Sequence, residues 1–403
     1  MSRSLIRVVA VDPIENDAYR VHFLREDRAG ELVMRGTPPL PHAVYEVEND
    51  DNPRLTLIGA PDPRLTAWPD AYRWRQNATG PTRHEILRRR ATIRRAVRAS
   101  LDEAGFLEIE APLLVRGTTP DPGVESYPLA DGYYLTTSTE YHMKRLAVGG
   151  FEKIYSLTKN FRKDDRIGPC RNPEFTMLEW GRVGEGMDRV MDDAERLTLA
   201  ALDALKLGRT IRYGDCTIDL TPPWDRQTVA EAIARNANVP MPDFGLIACQ
   251  HAADALGLKR RDAWANDRDF LFALIMDAIQ PKLGATRPVF LTDWPLFQTT
   301  SANAKKDAKT ADRAELFIAG IELADGFGGL ADPALQAHFF EAALAKRATE
   351  GLPAIAVDQS YLDAMRQGAP FGAGMALGFD RLVMLLTNQP EIRTVLAFGW
   401  DEL

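Results

Sequence analysis

The residues able to do chemistry in this 403-residue chain are a few carboxylates and arginines set in apolar surroundings. The stretch from Lys159 to Gly181, KNFRKDDRIGPCRNPEFTMLEWG, carries clustered cations ahead of an apolar block that holds a lone carboxylate, Glu179. Arg162 ends a strand-like run, and Asn172-Pro173 turns the chain back. An arginine so placed grips phosphate or carboxylate with both prongs of a fork that never loses its charge, although an internal salt bridge is the plainer explanation when the segment is taken alone. In AELFIAGIELADGFGG, Glu315 and Glu322 lie seven residues apart with Asp325 three beyond. On a hairpin they converge and offer the oxygen ligands that Mg²⁺ on a nucleotide needs; otherwise they are edge carboxylates at the surface. Close together they repel, so a cation or an arginine must neutralise them. In FGAGMALGFDRLVMLL the glycines allow close backbone approach, and Arg381 at a helix start suits a phosphate. Glu140, in TTSTEYHMKRLAVGG, stands before a helical run, where a capping role explains it equally well.

The elements that must position these residues fall into two parts. Residues 1–75 show period-two alternation, as in Tyr19, Val21 and Phe23, cut by polar turns such as EDRAGE. About five strands follow, which suits a small or reduced oligonucleotide-binding-type barrel or a plain packing module. Residues 76–403 begin with a helix carrying Ile86, Ile93, Val97 and Leu101 on one face and six arginines from Arg88 to Arg98 over the rest. That arginine face is a solvated surface or, less simply, a nucleic-acid contact. Helix, Gly105, the strand FLEIEAPLL and Pro112 make a compact unit. Further strands alternate with helices without a βαβ rhythm, so the expected fold class is α+β, a large mostly antiparallel sheet with flanking helices.

Composition narrows the remaining possibilities. A net charge of −8 argues against a broadly basic, nucleic-acid-coating surface. Cys170, Cys216 and Cys249 follow no CxxC spacing, which argues against a disulfide framework or zinc and fits a reducing cytoplasm. No run of about 18 uncharged apolar residues occurs, so no membrane partner is expected. Both GxxxxGK[ST] and GxGxxG are absent, which excludes a P-loop or a dinucleotide fold as the source of a nucleotide site.

Taken in order, these clusters resemble the class II aminoacyl-tRNA synthetase catalytic domain over roughly residues 84–403. AGFLEIEAPLL is similar to the first class motif, FRKDD through NPEFTMLEW to the second and GMALGFDRL to the third. TSTEYHMKRL, GIELADGF and NPEFTMLEW resemble the lysyl branch, and most of all the part of it that attaches β-lysine to elongation factor P. The resemblance implies a six- or seven-stranded antiparallel sheet, a homodimer through the Pro112 motif, and ATP with Mg²⁺ as cofactors. Arg162 would hold the ATP α-phosphate and the amino-acid carboxylate. Phe175 would stack on adenine, with Asp164 beside the adenine amino group where the family has Glu. Arg381 would meet the other adenine face and the γ-phosphate. Glu315 and Glu322 would hold the metal, Glu140 the substrate's ammonium and Glu179 its side-chain amine, with Asp325 and Ala376 in the substrate pocket.

The chain also departs from that pattern. The lysyl branch has an aromatic hydroxyl where Gly181 stands, a further carboxylate at Gly329 and Asn at Asp325, and the loop from Arg162 to Asn172 is one residue longer here. Each missing partner to a charged amine is worth ~1.5–3 kcal/mol, a hundredfold or more in selection for the pair. The expected activity is ATP-dependent formation of an aminoacyl adenylate from lysine, β-lysine or a related amino acid. The expected acceptor is a protein lysine such as that of elongation factor P, a choice motivated by FTMLEW, Ala376 and the lack of a full-length basic anticodon-type domain. A lysine–tRNA ligase with a reduced N-terminal barrel, a small-molecule amide ligase and a non-catalytic amino-acid or ATP binder are the alternatives.

Overall fold

A computed structural model describes residues 4–14, 18–25, 28–41, 43–48, 54–60, 81–163, 168–258, 265–299, 302–329 and 331–403. The chain divides into two compact units, Met1–Arg88 and Arg89–Leu403. The boundary expected at residue 75 lies outside the described residues.

Among the described residues the first unit is all β apart from the start of a helix. Strands β1 (Ser4–Ile14), β2 (Ala18–Arg25), β3 (Arg28–Arg35), β4 (Val44–Glu48) and β5 (Arg54–Gly59) form one sheet in the order β3-β2-β1-β4-β5. Every pairing is antiparallel. Alternation puts Ile6, Val8, Val21, Tyr45 and Val47 into one small core. This is an OB-like arrangement of five strands, as the sequence pattern anticipates.

Helix α1 (Arg83–Glu103) leads into the second unit and buries Ile86, Ile93, Val97 and Leu101 completely. The strand expected at FLEIEAPLL shrinks to β6 (Leu107–Glu108), and β7 (Leu114–Val115) pairs with β8 (Tyr134–Leu135). Then come α2 (Glu140–Val148), β9 (Lys153–Phe161), β10 (Glu174–Val183) and α3 (Met187–Ala204). A small hairpin of β11 (Thr210–Tyr213) and β12 (Cys216–Asp219) precedes β13 (Asp225–Thr228). Helices α4 (Val229–Ala237), α5 (Leu246–Ala255) and α6 (Arg268–Ile279) supply the helical stretch expected around residues 226–283. The chain closes with β14 (Val289–Pro295), β15 (Thr310–Ile318), β16 (Ile321–Gly328), α7 (Pro333–Thr349), α8 (Gln359–Arg366), β17 (Gly372–Gly378) and α9 (Phe379–Thr387). Asp332 caps α7, accepting from the N–H groups of Ala334 and Leu335, with Pro333 as the first helical residue.

Eight strands form the large sheet in the order β13-β14-β15-β16-β17-β10-β9-β6. The six inner strands run antiparallel, matching the expected core, while the short edge strands β6 and β13 lie parallel to their neighbours. Two arginines tie β10 to the helices behind it, and a third ties α1 to β6. Arg182 donates to Asp193 of α3 at 2.6 and 2.9 Å, both residues being buried. Arg90 of α1 pairs with the buried Asp380 of α9 at 2.6 Å and donates to Thr176 Oγ1, while the Thr176 N–H donates to Asp380 at 2.7 Å. Arg98 forks onto Glu108. Arg90 and Arg98, two of the six arginines from Arg88 to Arg98, are therefore engaged by the fold itself. No helix among the described residues is long and apolar enough to cross a membrane.

Candidate active site

The opposite face of β10 floors a cavity of about 1150 Å³. Period-two alternation brings Phe175, Met177, Glu179 and Gly181 to that face, and all four line it. Arg162, Glu140, Glu322, Asp325, Ala376 and Arg381 line it too. Of the expected site residues, Asp164 falls outside the described residues and Glu315 lies just behind the lining.

Arg162 follows β9 and is anchored by its backbone N–H to the Pro173 carbonyl at 3.0 Å. Its guanidinium carbon stands 5.2 Å from the centre of the Phe175 ring, and its Nε is buried without a hydrogen-bond partner. A buried donor left unspent is costly unless a ligand takes it. Arg381, in the first turn of α9, donates to the Glu322 carbonyl at 2.6 Å and the Cys170 carbonyl at 3.3 Å, which aims the guanidinium across the cavity. Glu322 Oε2 lies 3.8 Å from it.

Glu179 is held by the N-terminal end of α2. Its carboxylate accepts from the Thr139 N–H at 2.9 Å, the Thr139 hydroxyl at 2.6 Å and the Ser138 hydroxyl. A carboxylate there also meets the positive end of the helix dipole. Burial nonetheless pushes the Glu179 carboxyl above the usual range, with the Ser138 and Thr139 bonds opposing that rise. The group expected to meet a side-chain amine thus already has its donors. Glu140, in the first turn of α2, pairs with Lys144 one turn on at 2.7 Å. Ala376 lies opposite both Glu179 and Asp325 in the sheet, its small side chain leaving their carboxylates uncovered from β17.

The carboxylates of β15 and β16 do sit on one hairpin, turned by Ala319 and Gly320 with φ of 53° and 74°. Glu315 is directly opposite Asp325. Glu322 and Asp325, three apart, would face opposite ways on a regular strand. A bulge between the pairs Leu316–Ala324 and Phe317–Glu322 leaves Leu323 unpaired and turns Glu322 onto the face of Asp325 and Glu315. The neutralising cation is Arg313, which donates to both Asp325 oxygens at 2.9 and 3.0 Å, to Glu315 at 2.6 Å and to the Gln298 carbonyl. Burial raises the Glu315 carboxyl well above its usual range, against the pull of Arg313. Among the described residues no group of three or more His, Cys, Asp and Glu is arranged to hold a metal. Glu315 keeps one oxygen outside the Arg313 bond and Glu322 is partly exposed; carboxylate oxygens of this kind are the donors that Mg²⁺ takes.

The family model described as tRNA synthetases class II (D, K and N) matches residues 70–402. The chain belongs to this family. Relatives include a lysine–tRNA ligase of Thermosynechococcus vestitus, 35% identical over 79% of this chain and 63% of its own length. One from Chloroflexus aurantiacus is 36% identical over 78% of this chain and 65% of its own length. One from Dehalococcoides mccartyi is 32% identical over 91% and 71% respectively. The chain thus spans a little under two thirds of the first two relatives.

In this class II synthetase chain the residues that sequence reasoning overlooked are the partners. Arg313 stands two before Glu315 on one strand, hence on the same face, and Lys144 stands four after Glu140 on a helix; both spacings were available. Ser138 and Thr139 act through a contact some forty residues away, and Asp380 reaches Thr176 across two hundred. No local pattern announces such contacts.

Proposed function

We propose that this protein activates lysine, β-lysine or a related amino acid with ATP and passes the aminoacyl group to an acceptor. The observation that carries this reading is Arg162, half-buried at the cavity floor against Phe175 with a buried, unspent Nε donor. The amino-acid carboxylate attacks the α-phosphorus in line, the new C–O–P bond forms as the bond to pyrophosphate breaks, and Arg162 neutralises charge on the phosphoryl oxygens. No general base is needed, because the carboxylate is already ionised at neutral pH. Phe175 packs the adenine from one side and Arg381 from the other, while Glu140 receives the main-chain ammonium. Glu179 fixes the start of α2 and hence Glu140. Mg²⁺ held between Glu315 and Glu322 would offset phosphate charge.

The acceptor proposed is a protein lysine such as that of elongation factor P, whose amine attacks the acyl carbon and releases AMP. Transfer to tRNA is the second reading, favoured by the relatives, which are lysine–tRNA ligases. A homodimer is also proposed: Leu107, Leu114 and Phe151 are 52%, 51% and 41% exposed near the Pro112 motif, apolar surface that a second copy would remove from water. Amino-acid-dependent ATP–pyrophosphate exchange tests activation, and its absence across α- and β-amino acids would remove the proposal. Tracing the acyl label to protein or RNA then decides the acceptor.

A further inference from the structure

Among the carboxylates that line the cavity, Glu179, Asp325 and Glu140 are each already engaged. Glu179 accepts through both oxygens from Ser138 and Thr139. Asp325 is gripped through both oxygens by Arg313. Glu140 is paired with Lys144. Lys144 is the cation that α2 brings to this end of the cavity: its buried Nζ stands 5.5 Å from the centre of the Phe327 ring and 5.8 Å from that of Tyr361. Glu140 is its ion-pair partner among the described residues, and it makes no well-aligned hydrogen bond. The glycines at this end leave room for a Cβ at ordinary van der Waals contact. A Cβ built on Gly329 would lie 3.5 Å from Lys144 Cε and 4.0 Å from Nζ, and one on Gly181 would meet nothing closer than 3.8 Å.

A second ammonium arriving beside Lys144 meets a fixed positive charge, and Glu179, Asp325 and Glu140 are already engaged. An uncharged group with a carbonyl meets a donor and has room. When the substrate's main-chain ammonium takes Glu140, Lys144 is freed to donate. We infer that the side-chain end of this cavity selects an amino acid whose side chain is uncharged and ends in a hydrogen-bond acceptor, with Lys144 as the residue that reads it. This rests on the adenylate-forming reading and narrows its substrate to one whose distal amine is capped or absent.

The test is pyrophosphate exchange by the full chain with lysine, β-lysine, ε-N-acetyl-lysine, glutamine, norleucine and glutamate. Acetyl-lysine or glutamine is expected to exceed the other four at least tenfold in kcat/KM. Lys144→Met is expected to erase the discrimination against norleucine. Gly329→Glu, whose Cβ would meet nothing closer than 3.5 Å, is expected to swing preference at least tenfold toward lysine through KM. A tenfold preference of the unmodified chain for lysine, β-lysine, norleucine or glutamate overturns the inference, as does a folded Gly329→Glu variant with an unchanged ratio. If no exchange occurs with any of the six, the adenylate reading fails; calorimetric binding of acetyl-lysine or glutamine tenfold tighter than lysine then still upholds the selectivity, and its absence ends both.

Discussion

At the scale of residues, the site is a matter of which charges are already spent. Arg313, Arg182 and Arg90 are consumed by carboxylates of the fold, whereas Arg162 keeps a buried donor in reserve. That difference makes Arg162 the residue whose loss chemistry should feel first. Arg162→Lys keeps the charge and loses the planar fork, so kcat/KM for pyrophosphate exchange is expected to fall about 10- to 100-fold while the melting temperature stays near that of the parent. Steady-state exchange beside a thermal melt checks both halves. Sequence alone marked Arg162, Glu140 and the carboxylates of the β15–β16 hairpin because unusual residue types stood out against apolar runs. It left unseen what those groups bond to, since Ser138, Thr139 and Arg313 are ordinary residues until folding brings them within 3 Å of a carboxylate.

At the scale of elements, β10 is the hinge between chemistry and support. One face carries Phe175, Glu179 and Gly181 to the cavity; the other is bolted to α3 through Arg182 and Asp193, and to α1 and α9 through Thr176. Removing one member of a buried ion pair strands the other charge. Asp193→Ala is therefore expected to destabilise the protein by about 3–5 kcal/mol, read from the midpoint of urea unfolding, and an unchanged midpoint would show the pair to be dispensable. Helices α1, α3 and α7 were legible from apolar spacing and the Asp332-Pro333 start, because local periodicity decides them. Strand order was not legible: β10 lies between β9 and β17, and the latter begins 189 residues beyond its end, a pairing set by the whole core.

For the molecule as a whole, burial of Glu179 ties stability to pH. Its carboxyl is raised above the ordinary 4.5, so above that pH the folded chain retains a proton that the unfolded chain has released. The contribution is full below 4.5 and is lost as pH rises through the folded value. Glu179→Gln cannot ionise, so its stability relative to the parent is expected to climb as pH rises from about 4 to 8, whatever constant offset the amide brings. Urea titrations at a series of pH values would reveal a flat difference if burial is not the cause. Assembly has its own check: Leu114→Glu is expected to halve the mass seen in sedimentation if the exposed leucines near Pro112 meet a second copy. The unpaired Leu323 carries a consequence for how this chain can change length. Because side chains alternate along β16, that one extra residue sets the parity of everything before it. Deleting Leu323 would cancel the bulge and leave Glu322 two residues before Asp325, on the same face of a regular strand, whereas one residue added opposite it on β15 would give Leu323 a partner and turn Glu322 to the other face. Whether a one-residue change in this hairpin keeps the carboxylates together thus depends on which strand takes it.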